Sequence, residues 1–166
     1  ALGTIYQSSG NLTIGENVEI SGNKSSKGGG IYQIEGTLSL SKNAKINENT
    51  AGDGGGIYQK GGTIITNATV GINENTAGSG GGIYQEGGDL ITDENTTIND
   101  NAASNDGGAI CQKESGYLTV RGNTEIRGNK SSGSGGGIYH TGTGLSTIEG
   151  NTQIVNNTSS ISSSGG

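Results

Sequence analysis

Apolar residues in this chain come in groups of two to four, and the groups return at a fixed pitch. The first group is Ile-Tyr-Gln or a close variant: Ile5-Tyr6-Gln7, Ile31-Tyr32-Gln33, Ile57-Tyr58-Gln59, Ile83-Tyr84-Gln85, Ile110-Cys111-Gln112 and Ile138-Tyr139-His140. The steps between copies are 26, 26, 26, 27 and 28 residues. A second group follows each first one: Leu12 to Ile14, Leu38 to Leu40, Ile64 to Thr66, Leu90 to Thr92, Leu118 to Val120 and Leu145 to Ile148. A third narrows to one isoleucine per copy, at Ile20, Ile46, Ile72, Ile98, Ile126 and Ile154. Three residues after each of these stands an asparagine: Asn23, Asn49, Asn75, Asn101, Asn129 and Asn157.

Within the groups the alternation has period two, as in Leu12-Thr13-Ile14 and Val18-Glu19-Ile20, which is the pattern of a strand. None extends over the ten or more residues a helix needs. Runs of Gly, Asn, Ser and Thr separate the groups and supply turns. Three short strands in every 26 to 28 residues, repeated six times, predict an all-β fold. It is a parallel β-solenoid forming one domain over residues 1–166, with equivalent positions stacked about 4.8 Å apart.

The repeat changes how the composition reads. Only 27% of the 166 residues are hydrophobic, 35 are Gly, and Pro, Met, Trp and Phe are missing. Without periodicity this is the profile of a disordered chain. With it, each coil needs only a few inward side chains, because stacking joins them into one continuous core. Each buried Ile then contributes about 1.5–3 kcal/mol. The lack of Pro suits ladders in which every N–H donates.

The run GGGIYQ or GGAI, an amphipathic patch, then I-x-x-N followed by N-(K/T)-(S/A), resembles the GGAI-type repeats of secreted right-handed β-helix proteins. These include bacterial polymorphic outer-membrane proteins, autotransporter-like passengers and adhesin-like surface proteins of methanogenic archaea. The resemblance runs from Ile5 to about Asn157. It implies a right-handed β-helix and an extracellular, cell-surface setting. It implies little about activity, since solenoids host adhesins, lyases and envelope layers alike.

Candidate chemistry is sparse. The net charge is −6 with Lys and Arg scattered singly, which argues against nucleic acid and against an anionic membrane as partners. No apolar stretch is long enough to insert into a bilayer. A lyase needs clustered Asp, Lys and Arg, whereas the outward third-strand column reads Glu19, Lys45, Gly71, Thr97, Glu125, Gln153. A threonine array for ice binding breaks at Ser39, Ile65 and Ile91. Calcium rolls repeat an Asp after their glycines, but Asp53 and Asp106 stand alone. His140 occupies the Gln column and has no identifiable nucleophile beside it. No enzyme activity, metal or other cofactor is expected.

Two columns remain. Asparagines at the corners form ladders, with a second one through Asn17, Asn43, Asn95, Asn123 and Asn151 broken at Thr69. Asn11, Asn23, Asn67, Asn95, Asn129, Asn156 and Asn157 also fit the N-glycosylation pattern. In the first strand Ile and Gln share one face and Tyr takes the other. With Ile inward, Tyr6, Tyr32, Tyr58, Tyr84 and Tyr139 form an outward stripe, a candidate contact surface. Cys111 would then be exposed in that stripe as an odd thiol suited to an intermolecular disulfide. With Tyr inward, Cys111 is a small buried hydrophobe.

Neither end carries a recognisable polar capping repeat, and such ends are templates for pairing. Joining Gly165-Gly166 to Ala1 of another copy gives a repeat-like junction with a spacing of 33 between isoleucines. The expectation is a non-catalytic extracellular structural subunit. It would self-associate with copies of itself into a sheath, surface layer or filament. The alternative is an adhesin or passenger-type module that binds host or surface ligands.

Overall fold

The computed structural model describes residues 1–160 and is all-β, with no helix among them. The junction residues Gly165 and Gly166 lie outside the described residues. The three groups of the repeat form three parallel ladders in the expected register. The first joins Ile5–Gln7, Ile31–Gln33, Ile57–Gln59, Ile83–Gln85, Ile110–Gln112 and Ile138–His140 into a six-stranded sheet. The second is another six-stranded sheet, from Asn11–Ile14 to Ser146–Ile148. The third contains Glu19–Ser21 paired with Lys45–Asn47, then Thr97–Asn99, Glu125–Arg127 and Gln153–Val155. Identical residues face one another, as in Ile31 on Ile57 and Ile98 on Ile126.

A fourth ladder goes beyond the three strands per coil. Two-residue strands at Thr76–Ala77, Ala102–Ala103, Lys130–Ser131 and Thr158–Ser159 pair in parallel just after the asparagine column. Bridges from Lys24 to Thr50 and from Thr50 to Thr76 extend it into the early coils. Its inward members, Ala51, Ala77, Ala103 and Ser131, are buried but too small to give an apolar signal in the sequence.

The core is the stack of inward columns: Ile31, Ile57, Ile83 and Ile110; Leu38, Ile64, Leu90 and Leu118; Ile46, Ile72, Ile98 and Ile126. It is not uniformly apolar. Thr66 and Thr92 occupy the column of Leu40 and Val120 and are fully buried. Their hydroxyls are satisfied in pairs, Thr66 with Thr96 at 2.6 Å and Thr92 with Thr124 at 3.1 Å. Thr96 and Thr124 in turn donate to the turn carbonyls of Asp93 and Arg121. A buried hydroxyl costs little once paired in this way.

The glycine runs turn the chain into the first strand. Gly54 sits at φ 63, the left-handed region that Gly enters without penalty. A Cβ on Gly55 would collide with the Gly81 carbonyl of the next coil and crowd the Thr76 amide. The second glycine is therefore fixed by how closely coils stack.

Candidate functional site

In the first strand, Ile and Gln do share the inward face and Tyr does point outward. The inference that outward means exposed does not hold. Tyr6 is 51% exposed but Tyr58 only 2%. The coil rise sets one ring on the next, with centroids 5.5, 5.1 and 4.9 Å apart from Tyr6 through Tyr32 and Tyr58 to Tyr84. An interior ring thus has a neighbour on both faces. Lys27 lies over Tyr58, its Nζ 4.4 Å from the ring centre and donating to the hydroxyl at 2.9 Å. The Tyr58 hydroxyl donates to the Glu86 carboxylate. Burial, and then the bond to Glu86, push the Tyr58 pKa far up. Tyr32 and Tyr58 are therefore not free contact surface; Tyr84 and Tyr139 are half-buried.

Cys111 takes the next place in this column, between Tyr84 and Tyr139. It is unpaired and fully buried. Burial raises its pKa from 9.0 to about 12, against the lowering effect of Lys113. This corrects the expected exposed thiol: Ile faces inward, yet the cysteine is covered as well. A thiol so placed is neutral at ordinary pH and out of reach of a partner subunit, so an intermolecular disulfide needs the face to open first.

The two asparagine ladders are both present. In the inner one the Nδ2 of Asn23, Asn49, Asn75, Asn101 and Asn129 donates to the Oδ1 one coil on, at 2.8–3.1 Å. Each acceptor Oδ1 also takes the backbone N–H of the residue below, as from Asn49 to Asn75. From Asn49 to Asn157 the Nδ2 donates to an isoleucine carbonyl as well, as Asn75 does to Ile46. Asn49, Asn75, Asn101 and Asn129 are buried, so the folded chain closes the sequon at Asn129. The left-handed residue at this corner is the one before the asparagine: Gly22, Glu48, Glu74, Asp100, Gly128 and Asn156. In the outer ladder Asn43 donates to Asn17, Asn123 to Asn95 and Asn151 to Asn123, at 3.0–3.2 Å. It breaks at Thr69, as its sequence predicts.

The glutamines of the first strand lie in the wall. From Gln7 to Gln85 each Nε2 donates to a turn carbonyl of its own coil and to one of the next, as Gln33 does to Gly36 and Thr63. Their Oε1 atoms meet no donor among the described residues. Gln112 differs: its Oε1 accepts from Ser146 Oγ at 2.8 Å and from His140 Nδ1 at 2.7 Å. Ser146 Oγ is 3.1 Å from the same nitrogen. The structure thus gives His140 a hydroxyl neighbour that sequence reasoning missed, since Ser146 stands in a leucine column. This is not an activated pair. A carbonyl oxygen only accepts, so Nδ1 carries the proton and cannot take one from Ser146.

Among the described residues no group of three or more His, Cys, Asp or Glu is placed to hold a metal ion. One surface feature interrupts the repeat: a groove of about 490 Å³ along the outside of the third ladder, centred on Gly71.

The ladders, register and glycine turns define a β-solenoid repeat protein. Three segments, residues 17–33, 95–113 and 123–141, match the Chlamydia polymorphic membrane protein repeat. Each runs from an outer-ladder asparagine through the third strand and the inner ladder to the first-strand tripeptide or just past it. The chain is a repeat-containing β-helix protein, and these three segments are similar to that repeat. No curated protein and no solved structure gives a significant match.

Proposed function

We propose that this is a non-catalytic structural segment of the cell surface whose solenoid associates, end coil on end coil, with copies of itself. One observation carries the reading. The last described coil continues two of the core columns but leaves them uncovered: Ile148 and Ile154 are 52% and 41% exposed, while their register partners Val120 and Ile126 one coil earlier are at 0%. Leu2, Tyr6 and Val18 are exposed at the other end. A further coil in the same register, whether from a second copy or from the same polypeptide, would cover these steps and pair these parallel edges. The polymorphic membrane protein match supports the surface setting. Light scattering over a wide concentration range tests this. Mass should rise with concentration, equally under oxidising and reducing conditions because Cys111 is buried. A monomer throughout would sink the proposal.

The second reading, a passenger-type binding module of a surface protein, is supported by the same match. Its contact surface is then the lateral wall rather than the stacked tyrosines. Replacing Tyr32 or Tyr58 should damage stability before adhesion.

A further inference from the structure

The outward column of the third ladder carries Glu19, Lys45, Gly71, Thr97 and Glu125 in successive coils, so coil three contributes no side chain. The backbone does not break there. Ile46 N–H donates to Gly71, Gly71 to Ala44, Ile72 to Thr97 and Thr97 to Val70. The notch is therefore a missing side chain on an intact wall, with buried Gly71 and Val70 as its floor.

The same coil breaks the outer asparagine ladder. Asn43 uses its Nδ2 on Asn17, and its Oδ1 takes no hydrogen bond among the described residues. Asn95 uses its Oδ1 on Asn123, and its Nδ2 donates to no group among the described residues. An amide acceptor and an amide donor thus belong to the two residues that flank Thr69, whose positions are two coil rises, about 10 Å, apart. On the opposite side Asn73 donates to the Thr97 hydroxyl at 3.1 Å and leaves that hydroxyl's own proton free. At the near end Glu19 and Lys45 are register partners on the ladder, so that end carries one charge of each sign.

We infer that this notch is a saccharide-binding site for one or two uncharged pyranose rings. Sugar hydroxyls both donate and accept, and the notch offers both roles at fixed positions. The flat floor takes the C–H face of a ring, and the groove's volume lies within the ~300–1,000 Å³ of small-molecule sites. An extended peptide would need free strand N–H and C=O groups, which are paired along the axis here. A polyanion would need more than one uncompensated cation.

The test is an amide-resolved NMR titration of the whole chain with maltotriose, cellotriose, tri-N-acetylchitotriose and, as the charged control, a heparin tetrasaccharide. At least one neutral trisaccharide should give saturable shifts confined to residues 43–45, 69–73 and 95–97, with affinity in the millimolar range or tighter. Gly71→Thr should abolish them, weakening binding by at least about tenfold. That variant is expected to fold: a Cβ there crowds the end of the flexible Asn73 side chain, at 2.9 Å, is in ordinary contact with the Thr97 and Asn47 side chains, and φ is ordinary. The pair of exposed-side changes Asn43→Ala and Asn95→Ala should weaken binding several-fold and provides the test independently of that fold. Shifts that are absent with every neutral probe, that lie elsewhere, that persist in Gly71→Thr, or that appear only with the heparin fragment would overturn the inference. The titration reads the wall and does not depend on association at the ends.

Discussion

The two asparagine ladders run along the same rod at the same pitch, with amides about 3 Å apart in both. They differ in what surrounds them. Asn75 is fully buried and its side chain serves four backbone or amide groups: it accepts from the N–H and Nδ2 of Asn49 and donates to Ile46 and Asn101. Asn123 is exposed and makes one bond up and one down the stack. A hydrogen bond is worth little net when water can replace it, but a buried group left without one bears the full desolvation cost. The same residue in the same register is therefore structural in one ladder and nearly dispensable in the other.

The largest test of this contrast is Asn75→Ala. It strands several buried groups at once and should cost about 3–5 kcal/mol, read by denaturant unfolding. A loss as small as that of an exposed asparagine would break the comparison. The tyrosine column sharpens it, because it points outward like the outer ladder yet is covered like the inner. Tyr58→Phe removes the hydroxyl between Lys27 and Glu86 and should cost about 1–2 kcal/mol. Tyr6→Phe, at the exposed end, should be silent.

Cys111 belongs to the same covered face and gives the contrast a pH dependence. The fold holds its thiol neutral, so its contribution is complete below pH 9.0, the ordinary pKa, and is lost as pH rises toward about 12. Tyr84, raised by burial from 10.0 to about 12, acts in the same sense. Stability should fall by up to about 1.4 kcal/mol per pH unit per group across that window. Cys111→Ala should flatten the slope, and the native thiol should resist an aqueous disulfide reagent at neutral pH. An unchanged slope would show that the cysteine is solvated.

Smaller effects lie in the outer ladder. Thr69 is a β-branched residue at φ 58, a strained position. Thr69→Asn relieves that strain and completes the run from Asn43 to Asn95, for a gain of about 0.5–1 kcal/mol in thermal unfolding. Asn123→Ala should change stability by less than about 0.5 kcal/mol; a cost comparable to Asn75→Ala would erase the distinction between the ladders.

Much of this is legible in residue spacing alone. The columns of Ile20, Ile46 and Ile72 and the steps between tripeptides give strands, register and coil count, because a parallel stack needs like residues at like positions. Both asparagine ladders and the break at Thr69 also follow from spacing. What a three-residue strand does not convey is the depth of each face. Ile31 inward implies Tyr32 outward, but only ring-on-ring stacking covers Tyr32 and Tyr58. Ala77 and Ala103 give no sign of a fourth ladder, being too small to register as an apolar group. Gly71 is visible as an odd member of its column, yet a missing side chain becomes a notch only when the wall on either side continues.

The sequence by itself determined the repeat, the order of the three main strands and most residues of their columns, since these are periodic properties of one dimension. The tertiary structure alone decided which columns are buried, which asparagine ladder bears structural weight, that Cys111 is closed off, and that Ser146 meets His140. Burial and such meetings depend on neighbours one or more coils away and on how closely the coils stack, and no local pattern encodes those distances.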